Sequence, residues 1–321
     1  MPLPSAPEAR AWDRAALVAH ARASIARGSK SFAMASKLFA PLTRERAWLL
    51  YAWARKCDDI ADGQDHGGAM TGVADGQARL STISTLTDRA LRGEATGDPA
   101  FDGFGLVMRE CAIPPRYAHD LIEGFALDAR EWRPRSTDDL LRYCYHVAGA
   151  VGCMMAVLMG VDPDDRATLD RACDLGLAFQ LANIARDIGE DDAADRCYLP
   201  EEWLAEMDIP PGEHMKPWVR PRLAQLGQRL ATMAAAYEDS ARHGTGALPP
   251  RAAWAVLAAA GIYGDIAREV VRRGEQAWDG RIVTPRCDKL LWVARAAMQT
   301  IGRSRRWPAD TARPVLAWTR P

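Results

Sequence analysis

The stretch LGLAFQLANIARDIGEDDAADRCYLP, residues 175–200, carries the pattern around which the chain is organised. Four polar side chains recur along it at steps of three, four and four residues: Gln180, Asn183, Asp187 and Asp191. Residues three and four apart on a helix share one face, so the spacing predicts a helix with two amides and two carboxylates in line. The residues around them are mostly apolar. Because like charges four residues apart repel each other on a helix, a bound cation would stabilise this arrangement.

A second stretch, YAWARKCDDIAD at residues 51–62, repeats the acidic pattern. Asp58 and Asp62 are four residues apart, and Arg55 lies one turn earlier on the same face. Charged residues at this spacing usually form a solvated helix face. Two such pairs in apolar surroundings, each beside an arginine (Arg55 and Arg186), also suit Mg2+, which shares its oxygen ligands between carboxylates and substrate phosphates. The spacing by itself leaves both interpretations open, a metal–diphosphate site and a solvated surface.

The composition of the chain excludes several classes of protein. The chain has 321 residues, of which 48% are hydrophobic, and a formal net charge of −1, so it offers no electrostatic case for binding nucleic acid. Its seven cysteines form no C-x-x-C pair, which indicates free thiols in a reducing compartment. Residues 1–17 contain acids and no apolar core, so we expect no signal peptide. The longest apolar stretch, residues 147–159, is too short to span a bilayer and predicts a buried helix.

Hydrophobic periodicity predicts an all-α protein. Runs with a period of 3.6 residues dominate, and alternating β-branched runs are almost absent. Clusters of proline and glycine separate these runs. We find neither an internal repeat nor a stretch typical of an interdomain linker, so we predict one domain over residues 1–321. Residues 1–15 and 304–321 are expected to be loosely packed tails.

Four motifs together resemble a known family. RGSKSFAMASKLF (27–39), YAWARKCDDIAD (51–62), YCYHVAGAVG (143–152) and the stretch at 175–200, which closes in RCYLP, follow one another along the chain. In this order they resemble the squalene/phytoene synthases, and most of all the bacterial phytoene synthase branch, over roughly residues 20 to 285. The resemblance implies the isoprenoid synthase fold, a single helical domain with a central active-site cavity.

The resemblance also implies three sets of site residues. The ligands of Mg2+, or of Mn2+, would be Asp58, Asp62, Asn183, Asp187 and Asp191. The catalytic residues would be Tyr143, Gln180, Asp58, Asp62, Asp187 and Asp191. The substrate-binding residues would be Ser29, Lys30, Ser31, Phe32, Tyr51, Arg55, Arg186, Tyr263 and Arg281.

Some positions keep a structural alternative. The small polar residues 28–32 could form a turn or a helix N-cap and need not bind phosphate. Gly28 stands where many relatives of this kind carry a histidine, so one phosphate donor would be missing there. Asp59 points about 100° around the helix from Asp58, so we expect it behind the ligands or in solvent.

The implied activity is that of a phytoene synthase in carotenoid biosynthesis. Such an enzyme joins two geranylgeranyl diphosphates head to head, in a Mg2+-dependent reaction through prephytoene diphosphate to phytoene. A C30 relative acting on farnesyl diphosphate (a squalene, dehydrosqualene or presqualene diphosphate synthase) is the alternative. A degenerate member serving as an assembly factor would be expected to lose the acidic pairs, which are present here.

Because substrate and product are apolar, we expect a cytoplasmic protein in peripheral contact with the inner membrane face. The oligomeric state stays open.

Overall fold

The regular structure of the chain is helical. The computed structural model describes residues 12–63, 76–313 and 318–321, with Lys30 and Ser31 described by their backbone alone. No strand occurs among these residues, which confirms the prediction of an all-α protein. The helices are α1 (Arg14–Gly28), α2 (Lys30–Ala35), α3 (Pro41–Asp62), α4 (Gly76–Leu91), α5 (Pro99–Cys111), α6 (Arg116–Ala129), α7 (Thr137–Cys144), α8 (Ala150–Leu158), α9 (Arg166–Ala193), α10 (Glu201–Glu206), α11 (Arg220–Arg242), α12 (Pro250–Arg273), α13 (Arg286–Ile301) and α14 (Arg303–Arg306).

The backbone contacts divide the chain into two compact units, Met1–Phe125 and Ala126–Pro321. In the first unit, α3 packs against α1, α4 and α5. The indole of Trp53 on α3 stacks on the ring of Phe104 with centroids 3.9 Å apart, and it donates a hydrogen bond of 3.2 Å to Thr87. These contacts fix which face of α3 is buried and therefore where Arg55 and Asp58 can point. The prediction of one domain over the whole chain stays a prediction.

In the second unit, α9 is the central helix. It is 28 residues long and packs against α8, α11 and α12. One face of α9 comes close to the backbone of the turn before α8: a Cβ added to Gly176 would lie 2.6 Å from the carbonyl carbon of Ala148 and 2.7 Å from the Cα of Gly149. Only glycine permits this approach. The buried side chains of α9 include Leu177, Ala178, Leu181, Ala182, Ile184, Ala185 and Ile188.

The predicted buried helix is longer than the sequence pattern indicated. By length and composition, one helical stretch in the described residues, Thr137–Leu158, could cross a membrane, but 61% of its apolar window is buried inside the protein. It is longer than the predicted 147–159 because α7 continues into α8 through the π-helical turn Tyr145–Gly149. Cys153 and Met154 are fully buried, and α8 packs on α9, as in a core helix.

The C-terminal residues are held more closely than the predicted loose tail. Arg313 forms an ion pair with the buried Asp174, and Nε of Arg320 lies 2.5 Å from a carboxylate oxygen of Asp170. The indole nitrogen of Trp318 donates a hydrogen bond of 2.9 Å to Asp138. The described part of this segment is therefore fixed to α7 and α9.

We expect Gly176→Ala to destabilise the protein by about 1–3 kcal/mol, because the added methyl group meets backbone atoms that cannot move aside. Gly189→Ala, on the same helix, is the matched control. There the added Cβ lies 3.2 Å from Cε of Met215, the end of a flexible side chain, and alanine is a better helix former than glycine. Chemical denaturation monitored by circular dichroism compares the two variants. Equal stability of both would contradict the close approach of α9 to Ala148.

Candidate active site

The α3 residues predicted from the sequence centre on an arginine. Nη1 of Arg55 lies 3.0 Å from a carboxylate oxygen of Asp58, and its Nη2 lies 2.7 Å from one of Asp59. The side chain of Asp59 is only 7% exposed, whereas that of Asp58 is 42% exposed. Asp59 is therefore the buried anchor of the guanidinium and is not solvated, while Asp58 points outward. Burial would lower the pKa of Arg55, but the charges of Asp58 and Asp59 raise it, so the arginine stays charged.

One donor of Arg55 is unused. Its Nε is buried and has no hydrogen-bond partner among the described residues. A buried donor without a partner costs free energy of about 1–3 kcal/mol. An anionic oxygen that approached this nitrogen would remove that cost. Arg55 therefore keeps a buried donor that an anion could use, and its assignment to diphosphate binding stays a prediction.

The segment from Ser29 to Phe32 forms the start of a short helix. The hydroxyl of Ser29 accepts a hydrogen bond of 3.2 Å from the backbone nitrogen of Phe32, so it caps α2. The Phe32 ring meets the Tyr51 ring edge to face at 5.6 Å. The structure thus brings Phe32 and Tyr51 together, and the N-cap alternative holds for Ser29. The side chains of Lys30 and Ser31 lie outside the described residues, so their assignment stays a prediction.

Gly28 lies against Tyr51. A Cβ at position 28 would run into the Tyr51 hydroxyl and lie 3.4 Å from Cζ of that ring. A histidine cannot be added here unless Tyr51 moves. The glycine therefore lets Tyr51 pack close to the backbone of position 28.

On α9, the carboxylate of Asp187 forms ion pairs with two arginines. Nε of Arg186 lies 2.6 Å from one carboxylate oxygen of Asp187, and its Nη2 bonds the other oxygen. Arg281, which follows α12, lies 3.6 Å from Asp187 and also pairs with Glu190. The structure thus brings together Arg186, Asp187 and Arg281, three of the predicted residues. Asp187 is only 19% exposed, so these charges interact with little screening by water.

The carboxyl group of Asp191 has a raised pKa. Burial, and next the nearby charge of Asp187, raise the pKa of Asp191 to about 7. A cation shared by the two carboxylates would relieve this repulsion. Gln180 and Asn183 lie earlier on the same helix, and both are partly exposed. The α9 residues therefore supply carboxylate and amide oxygens, which are the ligands that Mg2+ prefers.

A largely apolar cavity opens beside Tyr263. The Tyr263 ring stacks on Phe179 with centroids 4.1 Å apart, and burial raises the pKa of its hydroxyl although the nearby Arg186 lowers it. The cavity has a volume of about 320 Å³ and lies among α9, α11 and α12. Alanines dominate its lining, which includes Ala178, Ala182, Ala231, Ala234, Ala235, Ala260 and Ala267.

Tyr143 belongs to a buried cluster that sequence reasoning missed. Its hydroxyl donates a hydrogen bond of 3.1 Å to Asp128, whose other oxygen accepts one of 2.9 Å from Tyr198. The Tyr143 ring lies between Tyr198, at 4.7 Å, and Trp132, at 5.8 Å. Burial, followed by the charge of Asp128, raises the pKa of Tyr143 well above its usual value. Tyr143 is therefore a neutral phenol with a fixed direction of its hydroxyl group.

The role of Asp128 had no signal in the sequence pattern. It lies near the end of α6, without an acidic partner four residues away on either side. Its two tyrosine partners are 15 and 70 residues away along the chain. Only the tertiary fold shows that this carboxylate fixes two hydroxyl groups.

The acidic residues fit a divalent cation that also binds phosphate. Within the described residues, no group of three or more histidine, cysteine, aspartate or glutamate side chains could hold a metal ion by itself. Mg2+ is commonly held by one or two carboxylates together with substrate phosphates and water. The pair Asp58 and Asp62 and the row Asn183, Asp187 and Asp191 offer only oxygen ligands, so their chemistry suits this mode.

We expect Asp128→Ala to lower the stability of the protein, because two buried tyrosine hydroxyls lose their acceptor at a cost of about 1–3 kcal/mol each. Asp239→Ala, at an exposed position of α11, is the control and should change stability by less than about 0.5 kcal/mol. Thermal unfolding measures both. If the two variants unfold at the same temperature, Asp128 does not hold the tyrosines.

Comparison with known proteins identifies relatives over nearly the whole chain. The pattern of the squalene/phytoene synthase family matches residues 25–288. A phytoene synthase from Pseudescherichia vulneris is 46% identical over 307 residues, which cover 95% of this chain and 98% of that protein. A 15-cis-phytoene synthase from Pantoea ananas is 45% identical over the same shares of the two chains.

Solved structures share the fold. A dehydrosqualene synthase in complex with a ligand superposes with a TM-score of 0.80 at 24% identity, covering 90% of this chain and 98% of that one. The squalene synthase HpnC from Alicyclobacillus acidocaldarius gives a TM-score of 0.72 at 24% identity, covering 80% and 94%. These similarities confirm the predicted isoprenoid synthase fold.

Proposed function

This chain belongs to the squalene/phytoene synthase family, and we propose that it is a phytoene synthase. It is a prenyl transferase that joins two geranylgeranyl diphosphates head to head, through prephytoene diphosphate, to phytoene in carotenoid biosynthesis. The observation that carries the proposal is the identity of 45–46% to phytoene synthases over 95% of the chain. The C30 relatives among the solved structures share only 24% identity, which supports the fold and not their substrate.

The reaction requires stabilisation of a leaving diphosphate. When an allylic diphosphate ionises, negative charge develops on the leaving group, and preorganised cations lower the energy of that transition state. Arg55, Arg186 and Arg281 are the cations that the described residues place beside the acidic side chains. Arg55 has a free buried Nε for a phosphate oxygen. The segment with Ser29, Lys30, Ser31 and Phe32, together with Tyr51, would contribute further contacts to substrate.

The acidic side chains would hold the divalent cation of the reaction. We assign Asp58, Asp62, Asn183, Asp187 and Asp191 as ligands of Mg2+, with Mn2+ as the alternative ion. When bound, the ion supplies positive charge to the leaving diphosphate. The raised pKa of Asp191 supports this assignment, because burial, and next the charge of Asp187, disfavour its ionised form, and a bound cation would offset both.

The carbocation that remains must be kept from water and guided to one product. An apolar, closed site serves this purpose. Gln180 and Tyr143 are the polar groups that we assign to the reacting carbons. Because Tyr143 is held as a neutral phenol by Asp128, it orients an intermediate through its ring and hydroxyl and does not act as a phenolate base. Tyr263, stacked on Phe179, forms part of the site wall.

The substrate and the product also point to a membrane. A C20 prenyl chain and a C40 hydrocarbon have little solubility in water. We therefore propose that the protein works in the cytoplasm, in peripheral contact with the inner membrane face.

The substrate assignment is tested by offering purified protein each diphosphate separately with Mg2+ and analysing the hydrocarbon products. We expect phytoene from geranylgeranyl diphosphate and a kcat/KM at least about tenfold lower for farnesyl diphosphate, whose shorter chain buries less surface. Turnover of the C15 substrate alone would make the protein a C30 synthase instead.

The acidic ligands are tested by Asp58→Ala and Asp187→Ala. Each should reduce turnover by about 10²-fold or more, because charge stabilisation of the leaving group is lost, while circular dichroism shows unchanged helical content. Asp239→Ala, an exposed acid on α11, is the control and should keep full activity. Near-normal turnover in either site variant would refute the ligand assignment.

A further inference from the structure

Helix α13 has one face that packs on the protein. The indole nitrogen of Trp254 on α12 donates a hydrogen bond of 2.8 Å to the carbonyl of Val293, and Trp292 donates to Asp265 on α12. Ala296 and Thr300 are buried. This side of α13 is fixed to α12 and forms part of the core of the second unit.

The opposite side of α13 is apolar and exposed. We name it the α13 outer face and define it by four side chains: Leu290, 63% exposed, Leu291, 58%, Met298, 77%, and Ile301, 90%. Val283, just before the helix, is 64% exposed. Of the ten large apolar side chains that are exposed in the described chain, five therefore lie between Val283 and Ile301. A concentration of this kind marks an interaction surface, because single exposed apolar residues are normally scattered.

The spacing makes this face a continuous stripe. Leu290 and Leu291 are followed by Ala294, Met298 and Ile301, at steps of three or four residues. Residues at these steps share one side of a helix. The stripe runs along most of the length of α13 and is turned away from α12. The packing of the second unit therefore does not cover it.

The charge around the stripe is strongly positive. Residues 286–306 contain six basic residues and one acidic residue, Asp288, although the whole chain has a net charge of −1. Arg286, Arg295, Arg305 and Arg306 are exposed. An apolar helix face with flanking arginines is typical of helices that lie in the headgroup region of a membrane. Basic clusters of this size are attracted to anionic lipids.

We propose that the α13 outer face is the surface by which the protein docks on an anionic lipid bilayer, with α13 lying in the plane of the interface. Leu290, Leu291, Met298 and Ile301 enter the boundary of the acyl chains, and the flanking arginines contact lipid headgroups. A second copy of the chain is a poorer occupant, because a two-fold contact through this face would bring two basic clusters together. The inference rests on the proposed function in one respect only, that the substrate and product are lipids.

A cysteine in the right place reports on docking. Cys287 is the exposed thiol of the chain, and the other six cysteines are buried or partly buried. It lies one turn before Leu290 and Leu291 on the same helix. A polarity-sensitive fluorophore attached to Cys287 should shift to shorter wavelength when vesicles of phosphatidylcholine with about 30% of the anionic lipid phosphatidylglycerol are added, because basic clusters are attracted to anionic lipids. Binding to phosphatidylcholine alone should be at least about tenfold weaker, and added salt should weaken binding to the anionic vesicles.

Two sets of variants separate the apolar and electrostatic contributions. The triple variant Leu290→Ser, Met298→Ser, Ile301→Ser should lose at least about tenfold in vesicle affinity, since three anchoring side chains no longer leave water. Arg286→Gln with Arg295→Gln should weaken binding to anionic vesicles and leave binding to phosphatidylcholine unchanged. Leu42→Ser, whose leucine is 48% exposed on α3, is the matched control and should bind as the unaltered protein does.

Three outcomes would overturn the proposal. The first is that the unaltered protein does not bind anionic vesicles. The second is that the triple variant binds them as well as Leu42→Ser does. The third is that sedimentation shows a dimer that the triple variant dissociates while vesicle binding is absent, which would make the face a contact between copies.

Turnover of geranylgeranyl diphosphate in detergent micelles is measured beside the binding assay. Micelles present the substrate without a bilayer, so the triple variant should keep full activity there. A protein that turns over geranylgeranyl diphosphate but does not bind anionic vesicles would refute the docking surface alone. A protein that binds vesicles through α13 but turns over neither diphosphate would refute the proposed function alone.

Discussion

Repulsion between carboxylates on a partly buried helix is the constraint on which the candidate site depends. Asp187 and Asp191 are one turn apart on α9, and burial, followed by the charge of Asp187, raises the pKa of Asp191 to about 7. Two arginines lie beside Asp187, one from the adjacent position and one from beyond α12. The same arrangement explains why a ligand that brings both a cation and an anion suits the site: the cation satisfies the acids, and the anion satisfies the arginines.

The rest of the second unit keeps α9 in the position that this arrangement needs. The glycine contact between α9 and the turn before α8 sets the helix close to its neighbour, and the buried side chains of α9 fill the space toward α11 and α12. Two residues before that glycine, the buried Asp174 is paired with Arg313 near the C-terminus. The polar row is thus carried by a helix that is fixed on several sides, which keeps the proposed ligands preorganised.

The sequence was sufficient for the helices and for the residues that lie on them. Periodicity predicts α3 and α9, because their buried faces repeat every 3.6 residues, and the acidic pairs follow directly from that spacing. The partners of those acids could not be predicted. Arg281 meets Glu190 from 91 residues away, Asp128 has no periodic companion, and the burial of Asp59 depends on which side of α3 faces Trp53 and Phe104. Each of these depends on tertiary packing, which a local pattern does not contain.

The π-helical turn Tyr145–Gly149 has a consequence for how this region can change. One turn of this kind adds about one residue to a helix, which rotates everything after it by roughly 100°. Tyr143 before the turn can therefore point toward Asp128, while Gly152 after it lies against the backbone of Ala172 on α9. The turn thus sets the angle between the two ends of this continuous helix, so that the Tyr143 contact and the Gly152 contact can both form. A single-residue deletion within the turn would rotate Gly152 by roughly 100° relative to Tyr143, so that the two contacts could no longer form together.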